Sequence, residues 1–212
     1  MTRSIGRIAL LTTVFLVLMV TLIRAQPRDD NALRAFLAPP ETCPLPCWQG
    51  VRPGVTSLEQ AMALMREHPW VGEMNFAQRI DALYWRWNDD QPAFVDRDRR
   101  GFLSVRADGI ISNVMLYTEI PVGDLILLLG QPDAIYSFAN NDLIIVYEQE
   151  SLEVFTRHEC PFNVERFWST PASVRWTAST HSYLVQYYDI RQIDPASPQW
   201  LRDSSRCGDG ET

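Results

Sequence analysis

The sequence contains no lysine, and all 19 basic side chains are arginine. This absence excludes a Schiff-base lysine, a P-loop lysine and every lysine nucleophile. Only three histidines are present, and the chain has no Gly-x-Ser-x-Gly elbow and no glycine-rich phosphate loop. A formal net charge of −7 argues against nucleic-acid binding. The sequence therefore lacks the common motifs of nucleophilic catalysis, phosphate binding and nucleic-acid recognition.

The N-terminus has the pattern of an export signal. Arg3 and Arg7 precede an uncharged run of 16 residues, 8–23, and Ala25 supplies a small residue at a cleavage position. The run is short of the roughly 20 residues that a membrane-spanning helix needs, so residues 1–25 are either a signal peptide or an N-terminal anchor. Both interpretations place the rest of the chain outside the cytoplasm, secreted or tethered by residues 1–25.

Signal cleavage would make the exported chain more acidic. It removes Arg3, Arg7 and Arg24 and no acidic residue, which takes three positive charges from −7 and leaves −10. Such a body is repelled by anionic lipid, so we expect contact with a membrane only through an uncleaved N-terminus.

Four cysteines, Cys43, Cys47, Cys160 and Cys207, agree with export, because an even number in an exported chain suggests two disulfides. The pairing of Cys43 with Cys47 requires a tight turn, which Pro44 and Pro46 could set, and Cys160 would then pair with Cys207. The other two connectivities stay open. The spacings contain no Cys-x-x-Cys, so we predict neither zinc nor any other metal or cofactor.

The distribution of prolines and of hydrophobic periodicity divides the chain into four parts. We predict a signal or anchor at 1–25, a proline-rich linker at 26–53, an α+β domain at 54–190 with units at about 54–118 and 119–190, and an irregular tail at 191–212.

Each unit is predicted to be one helix followed by an antiparallel meander. In the first, Thr56-Ser57-Leu58-Glu59 is a capping box that opens a helix over 56–68, with strands at 80–87, 101–106 and 110–118. Asp108-Gly109 predicts a primed hairpin turn. In the second, a helix at 121–129 precedes strands at 134–138, 143–148, 152–157 and 183–190, and 161–180 is unassigned. An offset of 63 residues superposes the two helices, which suggests either a tandem duplication or two unrelated α+β units.

Two short motifs are similar to those of a known fold group. Gly54-Val55-Thr56 opens a helix and Leu129-Gly130-Gln131-Pro132-Asp133 closes one. This pattern resembles the small outer-membrane-assembly lipoproteins and the β-lactamase-inhibitor-protein fold, over about 50–157. The resemblance implies two short helices on an antiparallel sheet and an exported protein that binds other proteins. The sequence departs from it because neither unit carries both motifs and no lipid-anchor cysteine is present, so no functional residue is transferred.

Aromatic residues are the remaining functional signal. The segment Tyr84-Trp85-Arg86-Trp87 combines the residue types that dominate protein-binding hot spots. On a strand, either Tyr84 and Arg86 or Trp85 and Trp87 should be the accessible set. We predict a partner surface on these four residues, centred on Trp85 and Trp87.

Other chemistry-bearing residues favour structural roles. His158 lies two residues before Cys160, but an exported cysteine is usually oxidised. Asp96 and Asp98 match only part of a calcium loop, so a solvated turn is expected there. The sequence thus predicts a non-catalytic protein-binding or structural domain of the cell envelope, whose partner would be an envelope or extracellular protein. The alternative is an envelope hydrolase that uses an acidic pair in a cleft.

Overall fold

The computed structural model describes residues 12–19, 30–40, 42–138, 140–178, 190–197 and 200. The chain divides into two compact units, Met1–Phe36 and Leu37–Thr212. In the first unit, residues 12–19 belong to a helix, α1, and all eight side chains are exposed. Among the described residues, no helix is both long and apolar enough to cross a membrane. A second helix, α2, spans Asp30–Leu37.

The second unit contains three further helices and nine strands among its described residues. The helices are α3 (Leu58–Glu67), α4 (Val122–Leu129) and α5 (Val164–Ser169). The strands are β1 (Val71–Ala77), β2 (Ala82–Trp87), β3 (Gly101–Val105), β4 (Ile111–Pro121), β5 (Ala134–Phe138), β6 (Asp142–Tyr147), β7 (Leu152–Arg157), β8 (Pro171–Thr177) and β9 (Ile190–Ile193).

The nine strands form one antiparallel sheet in the order β1-β2-β3-β4-β8-β7-β6-β5-β9. Strands β1–β4 are a meander after α3, and β5–β8 are a second meander after α4 that runs the opposite way across the sheet. The two meanders meet where β4 pairs with β8. This architecture confirms the predicted α+β class; tandem duplication stays a prediction.

One face of the sheet, which we call the Trp85 face, is buried from β2 onward and half-buried at β1. A single cross-strand row on this face connects β1 to β6, and from Leu83 onward every member is at most 1% exposed. The row consists of Phe76, Leu83, Leu103, Val114, Trp176, Leu152 and Tyr147. Burial of apolar surface is the dominant favourable term in folding, and this row contributes to it across seven residues.

Three buried tryptophans pack together on the Trp85 face, where the two meanders meet. The ring of Trp48 lies 5.8 Å from that of Trp85 and 6.0 Å from that of Trp176. Gly101, the cross-strand partner of Trp85, leaves room for the indole, because a Cβ there would lie 2.2 Å from Trp85 Cζ2. Trp48 falls within the predicted linker, so the structure differs there: the second half of 26–53 has irregular backbone but contributes to the core.

The capping box and the hydrophobic periodicity predicted helix α3 correctly, but the N-cap lies one residue further along the chain than predicted. Ser57, not Thr56, is the N-cap, and its side chain and that of Gln60 form the reciprocal capping box. Thr56 Oγ1 instead accepts from the backbone N–H of Arg52 at 2.8 Å. The box therefore has its predicted form with glutamine in place of the expected glutamate.

Three other segments also differ from expectation. In the β3–β4 hairpin only Gly109 has a positive φ, of 79°, so the connection is a three-residue loop rather than a primed two-residue turn. Strand β9 carries residues 191–193 of the predicted irregular tail into the sheet, where they pair with β5. The expected strand at 183–190 lies outside the described residues except for Ile190. Strands β1 and β8 and helix α5 were not predicted.

Candidate functional site

The opposite face of the sheet, which we call the Tyr84 face, changes character along one cross-strand row. Across the sheet from β1 to β5, in the order β1-β2-β3-β4-β8-β7-β6-β5, the row reads Asn75, Tyr84, Phe102, Met115, Arg175, Glu153, Val146 and Ala134. Asn75 is exposed and the next three side chains are half-buried. The last four are at most 8% exposed. The change occurs where the two meanders meet.

The second meander closes its part of this face with an apolar cluster. Ala134, Tyr136, Ile144 and Val146 are each at most 4% exposed, and three partly buried hydrophobic residues pack on them. Burial raises the pKa of the Tyr136 hydroxyl, with a further increase from nearby carboxylates. This part of the face therefore belongs to the protein interior.

An ion pair marks the boundary between the two parts. The Arg175 guanidinium donates through Nε to Glu153 Oε2 at 2.7 Å and also contacts that oxygen through a second nitrogen. Arg175 stacks on Phe155, with its central carbon 4.4 Å from the ring centroid. Burial lowers the pKa of Arg175, and the charge and hydrogen bond of Glu153 oppose that shift. Loss of one partner from such a buried pair is strongly destabilising, because it leaves an uncompensated charge in the interior.

The first meander leaves its part of the Tyr84 face open. The rings of Tyr84 and Phe102 lie 5.7 Å apart and border a cavity of about 560 Å³ that Tyr117 also lines. Ile80, 56% exposed, and Arg100 complete its rim. The volume is typical of sites that accept a small ligand or a protein side chain.

One arginine, Arg100, lines this cavity, and two others lie next to residues that line it. The Arg99 guanidinium lies 4.0 Å above the Tyr117 ring. Arg86 and Arg100 line a smaller adjoining cavity of about 80 Å³ together with Glu73. All three arginines are exposed, and none forms an ion pair with a described residue. We call this surface, with Tyr84, Phe102 and Tyr117, the open aromatic surface.

The structure separates the four predicted partner-binding residues. Tyr84 and Arg86 are the accessible set, because β2 directs them to the open face. The prediction that Trp85 and Trp87 centre the surface is wrong for Trp85, which is 1% exposed and packs on Trp48. Trp87 is half-buried, and its Nε1 donates to the Arg99 carbonyl at 2.9 Å.

Sequence reasoning missed Phe102, Tyr117, Arg99 and Arg100. Two signals could have found them. Alternation along β3 places Phe102 on one face, and the β3–β4 hairpin then sets it opposite Met115. An Arg-Arg pair directly before an aromatic strand is itself a sign of a charged rim around an apolar surface.

A second cavity of about 590 Å³ lies at the junction of the meanders and contains three carboxylates, Asp96, Glu119 and Asp142. Asp142 is already bound to Arg157, with Nε–Oδ1 at 2.6 Å and a second contact at 3.2 Å. Asp96 Oδ1 accepts from two backbone N–H groups of its own loop, at 2.9 and 3.2 Å. Two of the three acids are thus held in structural interactions, and the hydrolase alternative gains no acid–base pair from them.

The Asp96 contacts form the solvated turn that the sequence predicted at the partial calcium loop. In the described part of the chain, no three His, Cys, Asp or Glu side chains are grouped closely enough to hold a metal ion.

The cysteines in the described part of the chain are disulfide-bonded. Cys43 and Cys47 form a disulfide with Cα atoms 6.0 Å apart, as predicted. Cys160 is also disulfide-bonded, so it supplies no thiolate to the neighbouring His158. Cys207 lies outside the described residues, and its pairing stays a prediction. His158 is 3% exposed and its ring contacts Phe162 edge-on, which makes it a core residue.

The described residues thus form an antiparallel α+β fold with an aromatic surface beside exposed arginines on the first meander. No protein-family model and no curated protein matches the sequence. Among solved structures, the chain is similar to a DUF4309 family protein, YjgB, of Bacillus subtilis subsp. subtilis str. 168. The TM-score is 0.41 and the identity 17%, over 62% of this chain and 84% of that one. A likeness at this level carries no functional information.

Proposed function

We propose that this protein is an exported, non-catalytic binding domain of the cell envelope that holds a partner protein on the open aromatic surface. The observation that carries the proposal is the change along one cross-strand row. Tyr84 and Phe102 remain half-buried, whereas Val146 and Ala134 on the same row and face are buried. A sheet that buries one half of a face and leaves aromatic residues on the other half has surface available for a partner.

The residue types of the open surface favour a protein partner. Tyrosine and arginine are enriched at the centres of protein interfaces, because they combine large contact area with directional hydrogen bonds. Tyr84, Arg86 and Arg100 supply these types next to Phe102. The resemblance to exported proteins that bind other proteins points the same way.

Export is supported by the N-terminal pattern and by the Cys43–Cys47 disulfide, since disulfides persist mainly in oxidising compartments. An intact-mass measurement on protein recovered from the envelope or medium tests it. We expect a chain that begins at Gln26, or the full chain fractionating with membranes. Full-length protein in the cytosolic fraction would contradict export.

The partner is best tested with a photo-crosslinking amino acid at Phe102 in cells that produce the full chain. The matched control carries the same group at Leu64, which is 41% exposed on α3. We expect a discrete adduct from position 102 and not from position 64, because only the former lies on the open surface.

Mass spectrometry then identifies the adduct, and the purified partner is titrated against the wild type and Tyr84→Ala. The proposal requires about tenfold weaker binding by the variant, which is the typical cost of losing a hot-spot residue. Identical adducts from both positions, or unchanged affinity of Tyr84→Ala, would refute it.

A further inference from the structure

In the two adjoining cavities of the open aromatic surface, Arg86 and Arg100 outnumber the one acidic lining residue, Glu73, although the chain is acidic as a whole. Arg86, Arg99 and Arg100 lie around the Tyr84–Phe102–Tyr117 floor, whereas the chain has a net charge of −7. Glu73 lines the small cavity of Arg86 and Arg100, whereas Arg99 borders the junction cavity, which also contains Asp96, Glu119 and Asp142. Local charge of this sign attracts carboxylates, and the negative remainder of the protein disfavours long polyanions.

The arginine-bearing loop is held in place before any partner arrives. The carbonyl of Arg99 accepts from Trp87 Nε1 at 2.9 Å, and its N–H donates to Asp96 Oδ1 at 3.2 Å. The guanidinium stacks on Tyr117 at 4.0 Å, which orients its planar fork. An oriented guanidinium binds a carboxylate through two parallel hydrogen bonds with less loss of side-chain freedom than a mobile one.

The floor next to these arginines is apolar and concave. Ile80, Phe102 and Tyr84 surround a cavity of about 560 Å³, and Arg100 lies on its rim. One apolar side chain of a partner fits such a cavity, and the neighbouring residues of the same segment then lie within reach of the arginines. An extended segment with alternating side chains satisfies both requirements.

We propose that the open aromatic surface recognises an acidic protein segment in which an apolar residue enters the Tyr84–Phe102 cavity and flanking Asp or Glu carboxylates bind Arg86, Arg99 and Arg100. This inference rests on the proposed function and specifies the chemistry of the partner. A single-stranded nucleic acid or an anionic membrane would compete for the same charges, and the test includes both.

The experiment selects binders of the purified, disulfide-intact protein from a library of random peptides about 12 residues long, a length that spans several strands of a sheet. We expect the selected peptides to carry Asp or Glu on either side of an apolar residue. The same selection on the charge-reversed variant Arg86→Glu/Arg100→Glu should enrich Lys and Arg instead. Unchanged enrichment on the variant, or no enrichment on the wild type, would overturn the inference.

The affinity of one labelled consensus peptide is then measured for the wild type and for single variants, which separates the contribution of the arginines from that of the aromatic cavity. Arg100→Glu and Phe102→Ala should each weaken binding about tenfold or more. Arg66→Glu is the matched control, because Arg66 is an exposed arginine on α3, away from this surface, and should leave affinity within about twofold. Equal effects of Arg66→Glu and Arg100→Glu would refute a specific site.

Two further probes decide between sources of negative charge. We expect a poly-dT oligonucleotide and vesicles containing an anionic lipid to bind more weakly than the consensus peptide at the same salt concentration. Tighter binding of either would overturn the inference. If the crosslinked partner binds through Tyr84 but the charge-reversed variant binds it as well as the wild type does, the proposed function stands and the acidic-segment inference fails.

Discussion

The two meanders share one sheet but complete the Tyr84 face in different ways. The first presents Tyr84, Phe102 and Met115 half-buried, and the second buries Val146 and Ala134 on the same row. Tyrosine and arginine keep a polar tip in water while their stems cover apolar surface, whereas valine and isoleucine have no such tip. Tyr84 and Arg86 of the open half therefore tolerate water through their polar tips, whereas Phe102 and Met115 stay half-buried because no other described element covers them. Exposure here reflects residue choice as well as missing cover.

The largest expected change in the free energy of unfolding comes from breaking the Glu153–Arg175 pair, which lies at the boundary between the two halves of the face. Arg175→Met leaves the buried Glu153 carboxylate without its guanidinium, and we expect a loss of about 3–5 kcal/mol in the free energy of unfolding. Urea denaturation measures it. The double variant Glu153→Leu/Arg175→Met should recover most of the loss, because no charge then remains buried.

Arg157→Met is the control for this prediction. It breaks the Arg157–Asp142 pair, whose arginine is largely exposed, and should cost less than about 1 kcal/mol. If Arg175→Met costs no more than Arg157→Met, the pair is not the stabilising boundary that we infer.

The second prediction compares one truncation in each half of the face. Ile144→Ala removes a side chain that is 2% exposed, and we expect a loss of about 2–5 kcal/mol. Phe102→Ala removes a half-buried ring and should cost about 1–2 kcal/mol, because part of that ring is already in contact with water.

Both variants are compared by urea denaturation under identical conditions. Equal losses, or a larger loss for Phe102→Ala, would show that the first half of the face is as much a core as the second.

The smallest expected effects are the responses to pH, which differ in direction between the halves. Burial lowers the pKa of His68, beside the first meander, from 6.5, so its folded form binds a proton less readily than its unfolded form. Stability should be complete above pH 6.5 and fall as pH drops below it. Burial, with Glu148 and Glu153, raises the pKa of Tyr136 in the second meander above 10. Stability should therefore be complete below pH 10 and fall as pH rises beyond it.

Thermal unfolding from pH 4 to 11 measures both slopes, with His68→Gln and Tyr136→Phe as the variants. In the wild type, His68 Nδ1 accepts a hydrogen bond from the backbone N–H of Trp70 at 3.3 Å. Glutamine keeps a hydrogen-bond acceptor at this position. His68→Gln should flatten only the acid side. Tyr136→Phe should reduce the slope only on the alkaline side, where Tyr147 still contributes because burial also raises its pKa. If either variant instead changed the slope at the opposite end of the pH range, the assignment of that slope to His68 or Tyr136 would be wrong.

Periodic segments with clear turn signals could be predicted from the sequence. Helix α4 and strands β5 and β7 lie within a residue of their expected bounds, because each is flanked by Gly, Pro, Asn or Ser residues that end it. Strand β1 was missed because its register shifts between Val71 and Met74, which breaks the alternation. Strand β8 was missed because Arg175 occupies an inward position, and only its partner Glu153, 22 residues away, accounts for an arginine there.

The sequence predicted part of the candidate site, and the rest depended on contacts between residues distant in sequence. Alternation on β2 divided Tyr84 and Arg86 from Trp85 and Trp87, but it could not say which pair faces the core. That choice depends on Trp48, which comes from a proline-rich segment with no periodic signal and packs on Trp85. The residues that orient the strand thus lie far from it in sequence.

The seam between β4 and β8 also bears on the order of folding. Within a meander, contacts join near neighbours, such as Ser104 and Asn113, nine positions apart. Across the seam, Thr118 Oγ1 donates to the Ala172 carbonyl from 54 positions away. Closing that longer loop costs more chain entropy, so the meanders should form early and join last. The two halves would then exist briefly as separate sheets, in which β4 and β8 are edge strands with unpaired backbone groups until the seam forms.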